Sequence, residues 1–526
     1  MNHVVKGLLA SIALAALLVG CGPQDAASVG MADAKKLLAD AGYPNGQGFP
    51  KMSILYNTAE NHKKIAEFIQ DQWKTNLGID VELVNEEWKT YLDTREQGNF
   101  DIARAGWVGD YQDPNTFLDM FVTDGNGNDG KYSNPKFDAA LAQAADMAAG
   151  PQRMGKLQEA ETIFIHEDMG IMPLYFYTTN NLIDLKKWDG WGKNTMDFHP
   201  TKSLAPKGDN KKTDFVLVNS AEPQSLDPAL IEGVPEHRIT YSLFEGLFTN
   251  DPLTAEPVPA LAKSYTVSED GKTYTFKLRE ATWSDGVPIT AETVVKSWLR
   301  QLDPNTASPY AWFPAMFIKG AGDYNAGTGT TENVAIRALD PETFQMELVG
   351  PLPYVLGAMT HYAFGVVPLH AIEKFGADWT KPENFVGNGP FVLKEWKPQE
   401  KIVVVPNEKY WDRAAVKLTS VTYLPIEDNL TGYNLFTNGD VDWMNTVPLD
   451  KIDEAKLRPD YQLAPQLSTY YYIFNTKRPP LDNPKVRKAL SLAVNRQFLV
   501  DGVTKGGQLP AESIVPSMAG YPGLTK

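Results

Sequence analysis

The strongest constraint on the fold is the way hydrophobic periodicity changes along the first part of the chain. Residues Met52–Asn57 form a short apolar run typical of a strand, and Ile79–Val84 form another. Between them, His62–Asn76 repeats apolar side chains at helical spacing. A strand, a helix and a strand in this order are typical of an α/β layer. The sequence therefore predicts a mixed α/β protein.

Further segments extend this pattern along the chain. Apolar periodicity predicts helices at Asp33–Ala41, Asp138–Met147, Met154–Glu167, Ala291–Leu299 and Val486–Val494. Phe215–Val218 reads as a strand, and Tyr265–Val267 with Thr273–Leu278 reads as a hairpin. The polar, Pro- and Gly-containing stretch Lys202–Asp214 is the best linker candidate, which indicates more than one lobe.

The N-terminus has the form of an export signal. Lys6 precedes the apolar run Gly7–Gly20, so residues 1–20 are predicted to be a signal peptide. The run ends in Leu-Val-Gly-Cys, which resembles the lipobox of bacterial lipoproteins and implies that Cys21 carries lipid. An unmodified signal peptide that happens to contain a cysteine is the alternative. Gln24–Gly30 is expected to be a flexible tether.

Composition excludes several classes of function. The 526 residues include 65 acidic and 49 basic side chains, a net charge of −16 that disfavours a nucleic-acid partner. A single cysteine and seven scattered histidines argue against a disulfide scaffold and a metal site. The glycines 125, 127 and 130 spell GxGxxG, but no helix pattern follows, and a solvated turn is expected there. No catalytic motif is found, so an enzyme is not expected.

One charged residue stands out in an apolar segment. Arg104 lies within the otherwise apolar stretch 102–107, and burying a charge is costly unless it is paired. Two explanations remain open at this point. The residue forms an internal ion pair, or it lines a cleft whose charges await a zwitterionic ligand.

Several segments together resemble one protein family, the peptide-binding proteins of bacterial ABC importers (solute-binding family 5, oligopeptide type). The matching segments are 87–110, 219–228, 261–300, 387–391, 407–411 and 486–496. The resemblance implies a two-lobed periplasmic binding-protein fold of type II, in the large three-domain class. In the family, the segment like 219–228 lies near the mature N-terminus and the segment like 88–110 lies late. The chain therefore resembles a circular permutant of the family.

The resemblance also implies a division into domains. Residues 1–20 are the signal peptide and 21–30 a lipidated tether. Residues 31–179 with 468–526 form a ligand-binding lobe, 180–244 with 369–467 an opposing lobe containing the linker at about 202–214, and 245–368 an additional domain. The two lobes are expected to close on the ligand.

Individual residues are assigned by the same resemblance. Asp110 is expected to pair with the α-ammonium of a peptide. Backbone groups of Gly106, Trp107, Val108, Glu232, Gly233 and Val234 are expected to bind the extended peptide main chain. Arg95, Arg104 and His62 match positions near the carboxyl end of the ligand. Trp88, Tyr310 and Tyr471 are expected to line side-chain pockets, although each could equally be a core aromatic residue.

The expected function is capture of oligopeptides and their delivery to the permease subunits of an ABC transporter. The protein is expected to be exported, anchored to a membrane through lipid, monomeric, and free of cofactors and metals. Two alternatives remain. The same fold could bind a dipeptide, haem, a nickel complex or a sugar, or the chain could be a secreted hydrolase.

Overall fold

The computed structural model of the chain describes residues 23–125, 127–518, 520–521 and 523–524. Its strands are β1 (Met52–Asn57), β2 (Val81–Glu86), β3 (Ile102–Val108), β4 (Ile171–Ile183), β5 (Trp188–Asp189), β6 (Ala205–Pro206), β7 (Asp214–Val218), β8 (Phe248–Asn250), β9 (Pro257–Pro259), β10 (Ala262–Val267), β11 (Thr273–Leu278), β12 (Ile336–Asp340), β13 (Thr343–Glu347), β14 (Phe391–Lys397), β15 (Lys401–Pro406), β16 (Ser420–Leu424), β17 (Trp443–Met444), β18 (Tyr461–Phe474) and β19 (Leu509–Pro510). Its α-helices are α1 (Pro23–Asp40), α2 (Glu60–Leu77), α3 (Trp88–Glu96), α4 (Asn115–Leu118), α5 (Pro135–Ala145), α6 (Pro151–Glu161), α7 (Val234–Leu243), α8 (Ala291–Leu302), α9 (Trp312–Phe317), α10 (Ala321–Asn325), α11 (Val355–Ala358), α12 (Leu369–Phe375), α13 (Asn429–Asn438), α14 (Ile452–Ala455), α15 (Pro484–Leu492) and α16 (Arg496–Phe498).

A large mixed sheet organises the described part of the chain. Its strand order is β14-β15-β16-β7-β17-β4-β18-β3-β1-β2, and β19 also pairs with β4. At one end, β1 runs parallel to both β2 and β3, and towards the other end β7 runs parallel to β16. A separate antiparallel sheet has the order β10-β11-β13-β12. The predicted mixed α/β architecture is confirmed.

Two long strands at the centre of the large sheet connect its two halves. β4 has 13 residues and β18 has 14, and they pair antiparallel from Ile171–Ile473 to Leu182–Tyr461. The pairing register shifts between Pro465 and Thr469. Such an irregularity bends a strand and weakens its ladder locally. The two halves of the sheet are thus joined by a pair of strands with a built-in bend.

Hydrophobic cores lie on either side of this bend. One core brings together residues from both ends of the chain, including Ile54 of β1, Tyr470 of β18 and Val486 of α15. α1 joins the same core through Ala34 and Leu38 and packs against α15. The opposite half is filled mainly by residues between 182 and 461, with Tyr111 packed among them. Residues distant in sequence therefore build each half of the molecule.

The sequence-predicted elements are largely present, with shifted ends. β1 has the predicted bounds, and β10 and β11 form the predicted hairpin. α8 begins after Thr290, whose side chain caps it as expected. The segment predicted as one helix at Met154–Glu167 is α6 followed by a π-helical turn at Thr162–Glu167.

Two segments differ from the prediction. Residues 24–30 were expected to be a flexible tether, but they are the first part of α1, which begins at Pro23. Proline is favoured in the first turn of a helix, and the alanines that follow favour its propagation. The linker candidate 202–214 is held to the protein, because β6 within it pairs with β5 and Lys212 forms a 2.7 Å ion pair with Asp442.

The predicted signal peptide and Cys21 fall outside the described residues. Among the residues that the structure does describe, none of the helices combines the length and the apolar character needed to cross a bilayer.

Candidate functional site

A large cavity of about 1300 Å³ lies between the two halves of the molecule. Its wall includes the end of β3, one face of α3, the first turns of α7 and loops near Tyr310 and His361. Eleven of the predicted site residues line it, namely Trp88, Arg95, Gly106, Trp107, Val108, Asp110, Glu232, Gly233, Val234, Tyr310 and Tyr471. The structure thus brings together residues that are up to 383 positions apart in sequence.

Asp110 follows the end of β3 and places a carboxylate in this cavity. Its backbone N–H donates to the Thr116 hydroxyl at 3.0 Å, which holds the turn after the strand. Its side chain is 10% exposed, and Oδ2 accepts a 2.9 Å hydrogen bond from the Tyr310 hydroxyl. Burial raises the pKa of Asp110 to about 7, although the hydrogen bond from Tyr310 opposes this rise.

The neighbours of Asp110 are neutral. His361 Nε2 lies 3.4 Å from Oδ1, but burial holds the pKa of His361 well below its ordinary value, so the imidazole is uncharged near neutral pH. Trp107 and Tyr310 stack with ring centres 6.5 Å apart beside the carboxylate. No lysine or arginine forms an ion pair with Asp110 in the described ranges. The carboxylate is therefore available to a cationic ligand.

The backbone beside Asp110 offers an open strand edge. β3 pairs with β18 from Ile102 to Val108, whereas its pairing with β1 is confined to Ile102 and Ala103. Beyond Ala103, one edge of β3 has no strand partner in the part of the chain that the structure describes. Gly106, Trp107 and Val108 lie on this stretch and line the cavity. An extended chain can add to such an edge through main-chain hydrogen bonds.

Gly233 lies opposite, immediately before α7, where Trp88 reaches across the cleft. A Cβ atom at position 233 would lie 2.7 Å from Trp88 Cζ2 and 2.4 Å from Glu236 Oε2, so a larger residue would force these side chains to move. The Trp88 indole N–H donates to Glu236 Oε1 at 3.2 Å. These contacts join residues from the two sides of the cavity, so the cleft is closed in this structure.

Arg95 already has carboxylate partners. Its Nε lies 2.6 Å from Asp129 Oδ2, and its Nη2 lies 3.8 Å from Glu232 Oε1 on the opposite wall. Because of these neighbouring charges, the pKa of Arg95 is raised despite its burial. Burial also raises the pKa of Glu232 to about 7, so this carboxyl group is partly protonated at neutral pH. A ligand carboxylate at Arg95 must compete with Asp129.

Arg104 and His62 are not among the residues that line the cavity. The Arg104 guanidinium donates to the Tyr177 hydroxyl at 2.8 Å and to Asn57 Oδ1 at 3.2 Å, and lies over the Tyr470 ring. His62 Nδ1 lies 3.4 Å from the hydroxyl of that same tyrosine. The Arg104 side chain lies on the same face of β3 as Gly106, and these neutral partners hold its guanidinium away from the residues that line the cavity. The internal ion pair considered for Arg104 is not present among the described residues.

Residues 124–125 and 127–129 form part of the wall. They were expected to lie in a solvated turn, yet Asn128 and Asp129 are buried. The Asn128 amide nitrogen donates to the Tyr132 carbonyl at 2.7 Å, and Asp129 binds Arg95. The described residues contain no group of three or more metal-ligating side chains.

Sequence reasoning missed two residues of α7, His237 and Arg238, which also line the cavity. His361, Tyr362 and Trp443 were missed as well. Their position in the sequence could have indicated His237 and Arg238, because they lie one helical turn after the predicted main-chain contacts at 232–234.

Comparison with known proteins identifies the family of this chain. The model for bacterial extracellular solute-binding proteins, family 5, matches residues 22–129 and 256–525, which is well over half of the chain. The periplasmic oligopeptide-binding protein OppA of Salmonella typhimurium is 41% identical over 310 residues, covering 58% of this chain and 57% of that protein. The periplasmic murein peptide-binding protein MppA of Escherichia coli is 39% identical over 316 residues, covering 59% and 58%. The chain thus matches less than two thirds of the length of these relatives, which are binding proteins and not enzymes.

A solved structure supports the same assignment. Haemophilus influenzae OppA in complex with the peptide RPPGFSPFR is 34% identical, with a TM-score of 0.54 over 59% of this chain and 61% of that one. The fold is therefore the two-lobed, type II periplasmic binding-protein fold. The chain belongs to the bacterial extracellular solute-binding proteins of family 5.

Proposed function

We propose that this protein captures oligopeptides between two closing lobes and delivers them to the permease of an ABC transporter. The observation that carries the proposal is Asp110, a carboxylate in a large cavity with hydrogen-bond donors around it but no cationic partner among the described residues. A captured peptide brings an α-ammonium group, which would replace the water that the carboxylate loses on burial.

Main-chain recognition would supply affinity without selecting side chains. The open edge of β3 at Gly106–Val108 offers donors and acceptors to an extended peptide, and residues 232–234 face it from the other wall. A cavity of about 1300 Å³ leaves room for side chains of different size, and for water that fills the remainder. Trp88, Tyr310 and Tyr471 would bound these side-chain pockets.

Closure of the lobes would bury the ligand. We propose the division into residues 31–179 with 468–526, residues 180–244 with 369–467, and residues 245–368. Support comes from the cores, because residues 34–102 share one core with residues 470–500. The paired strands β4 and β18, with their bend near Pro465, would act as the hinge.

Three residues are proposed for the carboxyl end of the ligand, namely Arg95, Arg104 and His62. Arg95 lines the cavity directly. The Arg104 guanidinium has only neutral partners, and Nη2 lies 3.2 Å from the position of a Cβ at Gly106, close to the cavity wall. Replacing Arg104 with Gln should weaken binding of peptides with a free carboxyl group, and unchanged affinity would remove it from the site.

We also propose that the chain is a circular permutant of the family arrangement. The family match falls in two separate ranges, 22–129 and 256–525, and α1 near the N-terminus packs against α15 near the C-terminus. A reordered chain that begins near residue 214 should fold and bind the same peptides. Failure of that chain to fold would contradict the proposal.

The protein would be exported, held at a membrane by lipid on Cys21, and monomeric. The sequence Leu-Val-Gly-Cys supports the anchor. Replacing Cys21 with Ala should release the protein from the membrane fraction, whereas unchanged fractionation would exclude the anchor.

Native mass spectrometry of the purified protein tests the cargo. A heterogeneous ladder of bound masses that fragment to amino-acid series is expected for an oligopeptide-binding protein. A single bound mass matching haem, a nickel complex or a sugar would assign the cavity to another solute.

A further inference from the structure

Helix α7 places a second charged group in the cavity wall, Arg238. Its Nη1 donates to Asn219 Oδ1 at 3.3 Å, and its Cζ lies 5.1 Å from the centre of the Trp443 ring. Asn219 is itself fixed, because its amide nitrogen donates to the Pro235 carbonyl at 3.0 Å. The guanidinium is therefore held in one orientation by neutral groups.

This guanidinium lacks a carboxylate partner in the described ranges. Burial lowers the pKa of Arg238, and the negative charge of Asp197 offsets this only in part. An arginine remains charged in proteins, so the protein carries the desolvation cost of a cation without the direct ion pair that normally compensates it. Its hydrogen bond to Asn219 uses one N–H group, so other N–H groups of the planar fork can bind a ligand.

The other basic residues of the cavity wall differ from Arg238 in one of two ways. Arg95 is paired with Asp129 at 2.6 Å. Lys89, Lys131 and Lys477 are exposed, so water solvates their ammonium groups. Among the described residues that line the cavity, Arg238 is thus the half-buried cation without an ion pair.

The adjacent residue adds a second unused group. His237 Nε2 is buried and has no hydrogen-bond partner in the described part of the chain. The His237 ring lies 5.8 Å from that of His361, which approaches Asp110. Asp110 and Arg238 therefore lie on one continuous wall, with the two histidines between them.

We propose that Arg238 binds a carboxylate of the captured peptide while Asp110 binds its ammonium group. The proposal rests on the peptide-binding function proposed above and deepens it, because it makes the site selective for ligands with an anionic group at one position. A planar fork of N–H donors matches the two oxygens of a carboxylate. That carboxylate is either the C-terminus of the peptide or the side chain of a Glu or Asp residue.

Isothermal titration calorimetry with matched peptides tests this. The set contains alanine tripeptides and tetrapeptides with a free or amidated C-terminus, and versions with Glu or Gln at each position in turn. Wild-type protein should prefer the acidic member of one pair by roughly tenfold to a hundredfold. In Arg238→Gln that preference should disappear, and Arg238→Lys should restore it only in part, because lysine lacks the fork.

Lys477→Gln is the matched control, since it removes an exposed cation from the same cavity wall and should leave every acid-to-neutral ratio unchanged. Loss of preference between free and amidated C-termini identifies the terminal carboxylate, and loss between Glu and Gln identifies a side chain. If all ratios in Arg238→Gln equal those of the wild type, the inference is wrong. If the wild-type protein binds no peptide of the set, the proposed function itself fails.

Discussion

The Tyr310 hydroxyl donates a 2.9 Å hydrogen bond to Asp110 Oδ2 across 200 positions of sequence. This bond opposes the effect of burial, which raises the pKa of the carboxyl group to about 7. Burial therefore favours the protonated form of this carboxyl group, so it is partly protonated at neutral pH. An arriving ammonium group favours the ionised form, so ligand binding and proton release are coupled.

Because of this coupling, the affinity for peptides should depend on pH. Peptides with a free amino group should bind about fivefold more tightly at pH 7 than at pH 6, because the pKa of Asp110 falls on binding and ionisation precedes the ion pair. At pH 7, roughly half a proton should be released per peptide bound. Calorimetry in buffers of different ionisation enthalpy measures this number. Proton uptake in place of release would contradict the coupling.

Replacing Tyr310 with Phe should shift the pH dependence of peptide affinity to higher pH. Loss of the hydrogen bond removes a group that lowers the pKa of Asp110, so fewer carboxyl groups are ionised at pH 7. Affinity at pH 7 should fall roughly threefold to tenfold and recover partly at pH 8. Tyr362→Phe, which alters another tyrosine of the cavity wall, is the control and should leave the midpoint in place.

Closure should depend on Gly233. In Gly233→Ala the new methyl group would lie 2.4 Å from Glu236 Oε2, the flexible end of a side chain on the helix that follows Gly233, and 2.7 Å from Trp88 Cζ2. Only the contact with Trp88 crosses the cleft and depends on closure of the lobes. Peptide affinity should therefore fall at least tenfold, with little change in the melting temperature of the empty protein. Gly155→Ala is the control, because nothing lies within 4 Å of its Cβ position and it should bind normally. Equal affinity for the two variants would show that Trp88 does not cross the cleft on closure.

A buried ion pair fixes the loop that carries Asp110. Arg153 binds Asp113 with two hydrogen bonds of 2.6 and 2.9 Å, and both side chains are buried. Arg153→Met should lower the free energy of unfolding by about 3–5 kcal/mol, because it leaves Asp113 buried without a partner. Urea unfolding measures this loss. Lys156→Met on the same helix breaks only a more exposed pair with Glu159 and should cost less than about 1 kcal/mol.

The sequence located part of this site and missed the rest for identifiable physical reasons. Asp110 and Trp107 were predicted through the resemblance of segment 87–110 to the family, and both line the cavity. Arg104 was expected in the cavity, but hydrogen bonds to Tyr177 and Asn57 hold its guanidinium away from the lining residues, and the sequence pattern does not specify those partners. Arg238 was missed because its role depends on which face of α7 meets the other lobe, and local periodicity does not specify that. The start of α1 was placed too late for a simpler reason, since alanine-rich segments can extend a helix into an apparent tether.

The central claim is that Asp110 binds the α-ammonium group of a peptide. Calorimetry of the wild-type protein and Asp110→Asn with trialanine and N-acetyl-trialanine at pH 7.5 tests it most directly. The substitution should cost about 2–4 kcal/mol of binding free energy for trialanine and little for the acetylated peptide. Without peptide, Asp110→Asn should melt at the same temperature as the wild-type protein or at a higher one. Burial raises the pKa of Asp110, so the ionised carboxylate destabilises the folded protein at pH 7.5, and the substitution removes that carboxylate. Equal losses for the two peptides would contradict the claim.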